Sequence, residues 1–174
     1  MPLNRIVFSV DELDFAAVYE RHARDVYRFA LYLSGDFAQA QDLTAETFAR
    51  AWAARDRVRV GSVKAYLLMI ARNLYRDEKR RPADVSLPVN HEAPDAGAGP
   101  EASARARHEL RRVLRGLRQI PESDRAVLLM ATVEGLSHQA IAAALGLSVD
   151  AVKVRVHRAR VRLNAALGNG GSET

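Results

Sequence analysis

The chain has 174 residues, room for one ordinary domain or two small ones, and 48% of them are apolar, too many for a largely disordered protein. It contains no cysteine, which excludes a disulfide framework, a thiol nucleophile and a cysteine-based zinc site. A net charge of +5 and a pI near 10.0 favour a polyanionic partner, and where the charge sits says more than its total.

The first residues, MPLNRIVFSVDELD, lack the charged-then-apolar order of a signal peptide, and no apolar run approaches bilayer length. A soluble, cytoplasmic protein without membrane insertion is expected. Residues 11–81 then carry three helical periodicities. In the first, Phe15, Val18, Tyr19, His22, Val26, Phe29, Ala30 and Leu33 form an apolar stripe that Ser34-Gly35 stops. Asp36 suits the N-cap of the second, where Leu43, Thr47, Phe48, Ala51 and Trp52 fall on one side. RVRV at 57–60 is too short and too close to Gly61 to read as a strand.

The third helix is expected over about Ser62–Arg81, with Val63, Tyr66, Leu67, Ile70 and Leu74 inward. At about 100° per residue, Arg72, Arg76 and Lys79 lie on the opposite face, with Asn73 and Arg80 on its flank. Many surface helices have such a side, and arginine near a helix C-terminus is favoured by the macrodipole in any case. Here the cations cluster in RNLYRDEKRR beside Tyr66 and Tyr75. Cations that hold phosphates, next to rings that stack on unpaired bases, suit single-stranded nucleic acid.

From Pro82 to Ser103 there is no Lys or Arg, while Asp84, Glu92, Asp95 and Glu101 are acidic. The stretch is rich in Pro, Ala and Gly without sustained periodicity, so residues 82–103 read as an extended, mobile tether. A solvated loop within one domain is the other reading, and loops of that length are uncommon in compact domains. Residues 104–167 form the second helical part, and 168–174 read as a disordered tail. The fold class is therefore all-α, with two small helical domains joined by a flexible linker.

Within the second part, SHQAIAAALGLSVDAVKVRVHRARVRL reads as helix, tight turn and basic helix. Ser137 caps the first helix, Ile141, Ala142 and Leu145 face inward, and Gly146 suits a left-handed turn. Ser148 caps the second helix, whose Val152, Val156, Ala159 and Leu163 repeat at helical spacing. This is the helix-turn-helix pattern that sets one helix in the DNA major groove. With Val152 inward, Val154, His157 and Arg158 point most nearly outward. Lys153 and Arg160 lie to one side, Arg155 and Arg162 to the other. Arg158 and His157 are thus assigned to base edges, Arg158 to guanine O6 and N7, and outward Val154 to a thymine methyl. Lys153, Arg155 and Arg160 are assigned to phosphates.

No catalytic constellation competes. His22, His91, His108, His138 and His157 are scattered, with no HExxH or ligand-like spacing, and there is no Gly-rich phosphate loop or serine elbow. No metal, no cofactor and no enzymatic activity are expected.

GDFAQAQDLTAETFARAW followed by KAYLLMIARNLYRDEKRR resembles the second conserved region of bacterial sigma factors, and QIPESDRAVLLMATVEGLSHQAIAAALGLSVDAVKVRVHRAR is similar to their fourth. With only those two regions and a short linker, the chain resembles the extracytoplasmic-function (ECF) group of the sigma-70 family, over about Phe15–Arg81 and Glu109–Leu167. The resemblance implies a protein that binds core RNA polymerase through the β′ clamp helices and the β flap, recognises promoter DNA and promotes initiation. By the same resemblance Asp42, Glu46, Phe48 and Trp52 match the clamp-docking motif, with acids for a basic surface and aromatics for packing; Phe48 and Trp52 read equally well as core. Ala45 stands where the family usually has glutamine. Arg72, Asn73, Arg76, Lys79 and Arg80 would meet the −10 element, Asn73 reading a base edge and the cations holding phosphates. The loop Arg57–Val63 would border a flipped-base pocket. Ser148, Lys153, Val154, Arg155, His157, Arg158 and Arg160 would meet the −35 element. Val154 replaces a common serine, Asp150-Ala151 the usual Gly-Thr, and Ala140 a common glutamate. An anti-sigma factor that clamps both domains is also implied, and the acidic linker would thread the polymerase channel. Two other functions fit the residues: an autonomous helix-turn-helix regulator that dimerises through its N-terminal helices, and a protein-interaction module whose basic faces are merely solvated.

Overall fold

The computed structural model describes residues 8–9, 15–55, 59–81 and 100–168. Seven helices account for nearly all of them. Helix α1 (Phe15–Ser34) ends where Gly35, at φ +70°, donates its N–H to the Leu31 carbonyl at 2.7 Å. Asp36 follows as the N-cap of α2 (Phe37–Ala54), its Oδ1 accepting from the Gln39 N–H at 2.8 Å. The two-residue turn folds α2 back onto α1. Ser62 caps α3 (Val63–Arg80) by accepting from the Ala65 N–H. Val26, Phe29, Ala30, Leu33, Leu43, Leu67, Leu68 and Ala71 are buried where these helices meet, as their spacing requires.

Two features depart from the expected layout. Arg59–Val60 (β2) pairs antiparallel with Phe8–Ser9 (β1), so the RVRV stretch does contribute a two-residue strand. Helix α4 (Pro100–Arg118) starts inside the stretch read as tether; Pro100 suits a first helical turn, where its missing N–H costs nothing. The remainder of that tether, residues 82–99, and the tail 169–174 lie outside the described residues.

Pro121 opens α5 (Glu122–Thr132), its carbonyl accepting from the N–H groups of Asp124 and Arg125. Residues 124–130 of α5 are all buried, so this helix is the axis of the C-terminal part. Helix α6 (His138–Leu145) is capped by Ser137 and closed by Gly146 at φ +65°, and α7 (Val149–Gly168) lies against α4, α5 and α6. Gly116 of α4 permits close approach of α7, since a Cβ there would sit 3.1 Å from Leu167 and 3.3 Å from Leu163.

The two helical parts pack on each other. Helix α1 meets α4 and α5, α3 meets α5 and α6, and one continuous apolar cluster runs through both.

Candidate nucleic-acid interface

Helix α7 presents its basic face as the rotation count anticipates. Val152, Val156 and Ala159 are buried, while Lys153, Val154, His157, Arg158, Arg160 and Arg162 are exposed and Arg155 is half-buried. Ser148 serves the helix itself, since its Oγ accepts from the Ala151 N–H at 3.1 Å and caps α7. Arg158 is not a free donor. Its Nε and Nη2 reach the Asp124 carboxylate at 3.1 and 2.8 Å, and that charge-assisted fork explains why its pKa is raised further.

Helix α3 is divided. Asn73, Lys79 and Arg80 are exposed and Arg76 is half-buried. Arg72, assigned to a phosphate from its angular position, is only 9% exposed and donates from Nε to Glu122 of α5 at 2.7 Å. Arg76 lies 3.8 Å from the other oxygen of the same carboxylate. Tyr75 is likewise withdrawn: it is buried, and its hydroxyl accepts from Arg125 Nη2 at 3.2 Å, so in this arrangement it stacks on no base. Both corrections have one cause. Helix α5 covers the middle of the basic side of α3, at Arg72 and Tyr75, and leaves Lys79 and Arg80 exposed, which no periodicity within residues 62–81 reveals.

On α2, Asp42 and Glu46 are exposed, Glu46 accepting from Arg50 at 2.8 Å. Phe48 and Trp52 separate: Phe48 is 4% exposed and Trp52 48%. Phe48, proposed as a docking aromatic, belongs to the core, with Phe15 and Tyr19 edge-on to it at 6.3 and 4.8 Å between ring centroids. Trp52 is shown to solvent, braced by Phe15 at 4.9 Å and by the Arg55 guanidinium 3.8 Å above its ring. Tyr19, read as part of the buried stripe, is exposed beside them. Its angular position gave no signal: at about 100° per residue Tyr19 lies between Val26 and Ala30, both buried, and only its place near the start of α1 sets it apart.

Sequence reading also missed the carboxylates that bind the two parts. Glu134, after α5, has no exposed side-chain surface; it accepts a fork from Arg28 (2.9 and 2.8 Å) and a bond from Lys64 Nζ at 3.0 Å. Asp25 bridges the same two cations at 3.0 and 3.1 Å. Arg118 completes the set by donating to the Gly35 carbonyl at 3.0 Å, which caps the end of α1. Each of these residues is an ordinary surface charge until the two parts meet.

Comparison with known proteins fits this geometry. The family models for sigma-70 region 2 and sigma-70 region 4 match residues 18–84 and 110–163. The chain is 35% identical over 147 residues to the ECF RNA polymerase sigma factor EcfG of Rhodopseudomonas palustris, covering 83% of this chain and 80% of that one. This chain is an ECF sigma factor. It is also 34% identical over 161 residues to ECF sigma factor SigE of Mycolicibacterium smegmatis, spanning 88% of this chain and 62% of that protein. Two solved structures share the arrangement. One is the sigma factor RpoE with the anti-sigma factor NepR from Bartonella quintana (TM-score 0.73, 26% identity, 89% of this chain and 97% of that one). The other is CnrH with the cytosolic domain of CnrY (TM-score 0.70, 27% identity, 92% and 93%). In this sigma factor the region 2 match holds α2, α3 and most of α1, and the region 4 match runs from within α4 into α7. Among the described residues no helix is long and apolar enough to cross a membrane.

Proposed function

We propose that this sigma factor works in the cytoplasm as the promoter-specificity subunit of RNA polymerase, with residues 11–81 and about 100–167 as its two binding domains. The observation that carries the reading is the pairing, in one chain, of an outward basic helix in each half with an acidic and aromatic patch on α2. Asp42, Glu46 and Trp52, joined by Tyr19, dock on the β′ clamp helices, with Phe48 supporting them from beneath. The second half also meets the β flap. On α3, Asn73 reads a base edge of the −10 element while Arg76, Lys79 and Arg80 hold phosphates. On α7, Arg158 and His157 read −35 base edges, Val154 meets a thymine methyl, and Lys153, Arg155 and Arg160 hold the backbone.

Arg72 joins the other α3 residues on DNA only after leaving Glu122, so full engagement of the −10 element requires the two halves to part. The close packing in this structure is then a resting or inhibited arrangement. The similar structures each contain an anti-sigma partner, which supports the proposal that an anti-sigma factor stabilises the closed form of this chain too.

Run-off transcription with purified core polymerase and a promoter library tests the function. Specific transcripts that require both core and this chain are expected. Tight, specific operator binding by the chain alone, without transcription, would instead identify an autonomous regulator.

A further inference from the structure

Among the described residues, Arg158 and Asp124 form the contact in which a proposed base reader of α7 is held by a buried acid. Asp124 sits in the first turn of α5, its side chain 3% exposed, on the most buried helix of the C-terminal part. Arg158 is 51% exposed and reaches it with Nε and Nη2. Those two atoms form the side edge of the guanidinium. The end edge, Nη1 with the second hydrogen of Nη2, stays uncommitted, and its two parallel donors can pair with guanine O6 and N7. Arg162 approaches the same carboxylate at 3.9 Å, outside hydrogen-bond range, so Arg158 holds the site.

We propose that Asp124 is a positioning residue for −35 recognition, fixing the Arg158 guanidinium on α5 so that its end edge is presented to a guanine. The proposal rests on the reading of α7 as the major-groove helix. A long arginine side chain free in solution samples many rotamers and pairs as readily with phosphates as with bases. Clamped on one edge by a carboxylate that sits on a rigid, buried element, it has one direction left and two donors to offer. The negative charge of Asp124 also lowers the pull of nearby phosphates on Arg158, which turns a general cation into a selective one. The carboxylate thus acts on specificity and touches no DNA itself.

The test compares the wild-type chain with Asp124→Asn, Asp124→Ser and Arg158→Lys. Each is assembled with core polymerase and assayed on promoters carrying all four bases at every −35 position. Binding of each full chain to non-specific duplex is followed against salt, and thermal melting reports folding. Arg158→Lys, which keeps the charge and loses the fork, is expected to cut discrimination at one guanine by about tenfold. The two Asp124 variants are expected to lose most of the discrimination at that same position. Their non-specific binding should tighten, with a salt slope steeper by about one as Arg158 turns to a phosphate. A purely structural Asp124 would weaken both kinds of binding together and lower the melting temperature, which overturns the proposal. So does unchanged discrimination in the Asp124 variants beside its loss in Arg158→Lys. If Arg158→Lys leaves every position as in wild type, the reading of Arg158 as a base reader fails, and the role of Asp124 fails with it. If the wild-type holoenzyme transcribes no promoter, the sigma function itself is at fault.

Discussion

Phe48 and Trp52 are four positions apart on α2, and the sequence treats them alike; the structure gives them opposite roles. Phe48 fills the space between α1 and α2, so Phe48→Ala is expected to cost about 3–5 kcal/mol of folding stability, measured by denaturant unfolding. Trp52 is half in water, so Trp52→Ala should cost about 1 kcal/mol or less while weakening core-polymerase binding in a pull-down or anisotropy titration. His22 adds a second residue-scale prediction. Burial lowers its pKa, aided by Lys64 and Arg21 and opposed by Asp25, whose carboxylate is 3.9 Å from Nδ1. Because the folded form binds the proton less readily than the unfolded chain, the contribution of neutral His22 to stability is present above about pH 6.5 and lost as the pH falls through the lowered value. A fall in melting temperature between neutral and mildly acidic pH is expected, and it should be smaller in His22→Gln.

The helix-turn-helix shows how much an element owes to its punctuation. Gly146 is at φ +65°, and a Cβ there would meet nothing within 4 Å. Gly146→Ala should therefore cost only the backbone strain of the left-handed conformation, about 1 kcal/mol. Ser148→Ala removes the cap of α7 and is expected to cost a similar amount, about 1 kcal/mol. A −35 affinity that recovers in Ser148→Asn, which restores a capping oxygen without adding charge, would assign Ser148 to the cap alone; affinity that stays low while stability recovers would assign its hydroxyl to DNA. At this scale the sequence was highly legible. The caps Asp36, Ser137 and Ser148 and the turn at Gly146 act through atoms within a few residues, so local spacing suffices to find them.

At the scale of the molecule, charged contacts join the two halves beside the apolar cluster that they share. Glu134 takes Arg28 and Lys64, Glu122 takes Arg72, and Arg118 takes the end of α1. Removing a carboxylate that accepts charged hydrogen bonds costs about 2 kcal/mol, since Arg28 and Lys64 are partly exposed and rehydrate. Glu122→Gln combined with Glu134→Gln is expected to part the halves. With dyes on cysteines placed at Ala45 and Asn164, both exposed, the variant should show lower energy transfer than the parent chain. Added salt should open it further where partly exposed pairs are screened. Unchanged transfer in the double variant would mean that the shared apolar cluster alone holds the closed form.

The sequence by itself determined the periodicity of α1, α2, α3, α6 and α7, the caps Asp36, Ser137 and Ser148, the helix-turn-helix and the basic faces of α3 and α7, because each depends on residues a few positions apart. Family membership followed from the same local patterns taken in order. Tertiary packing alone decided that Arg72 and Tyr75 are covered, that Tyr19 is exposed and that Phe48 is core. It also decided that Arg158 is held by Asp124, 34 positions away, and Arg28 by Glu134, 106 away. A charge on a helix reads the same whether it faces water, DNA or a carboxylate from the other end of the chain. Only the fold brings that carboxylate within 3 Å.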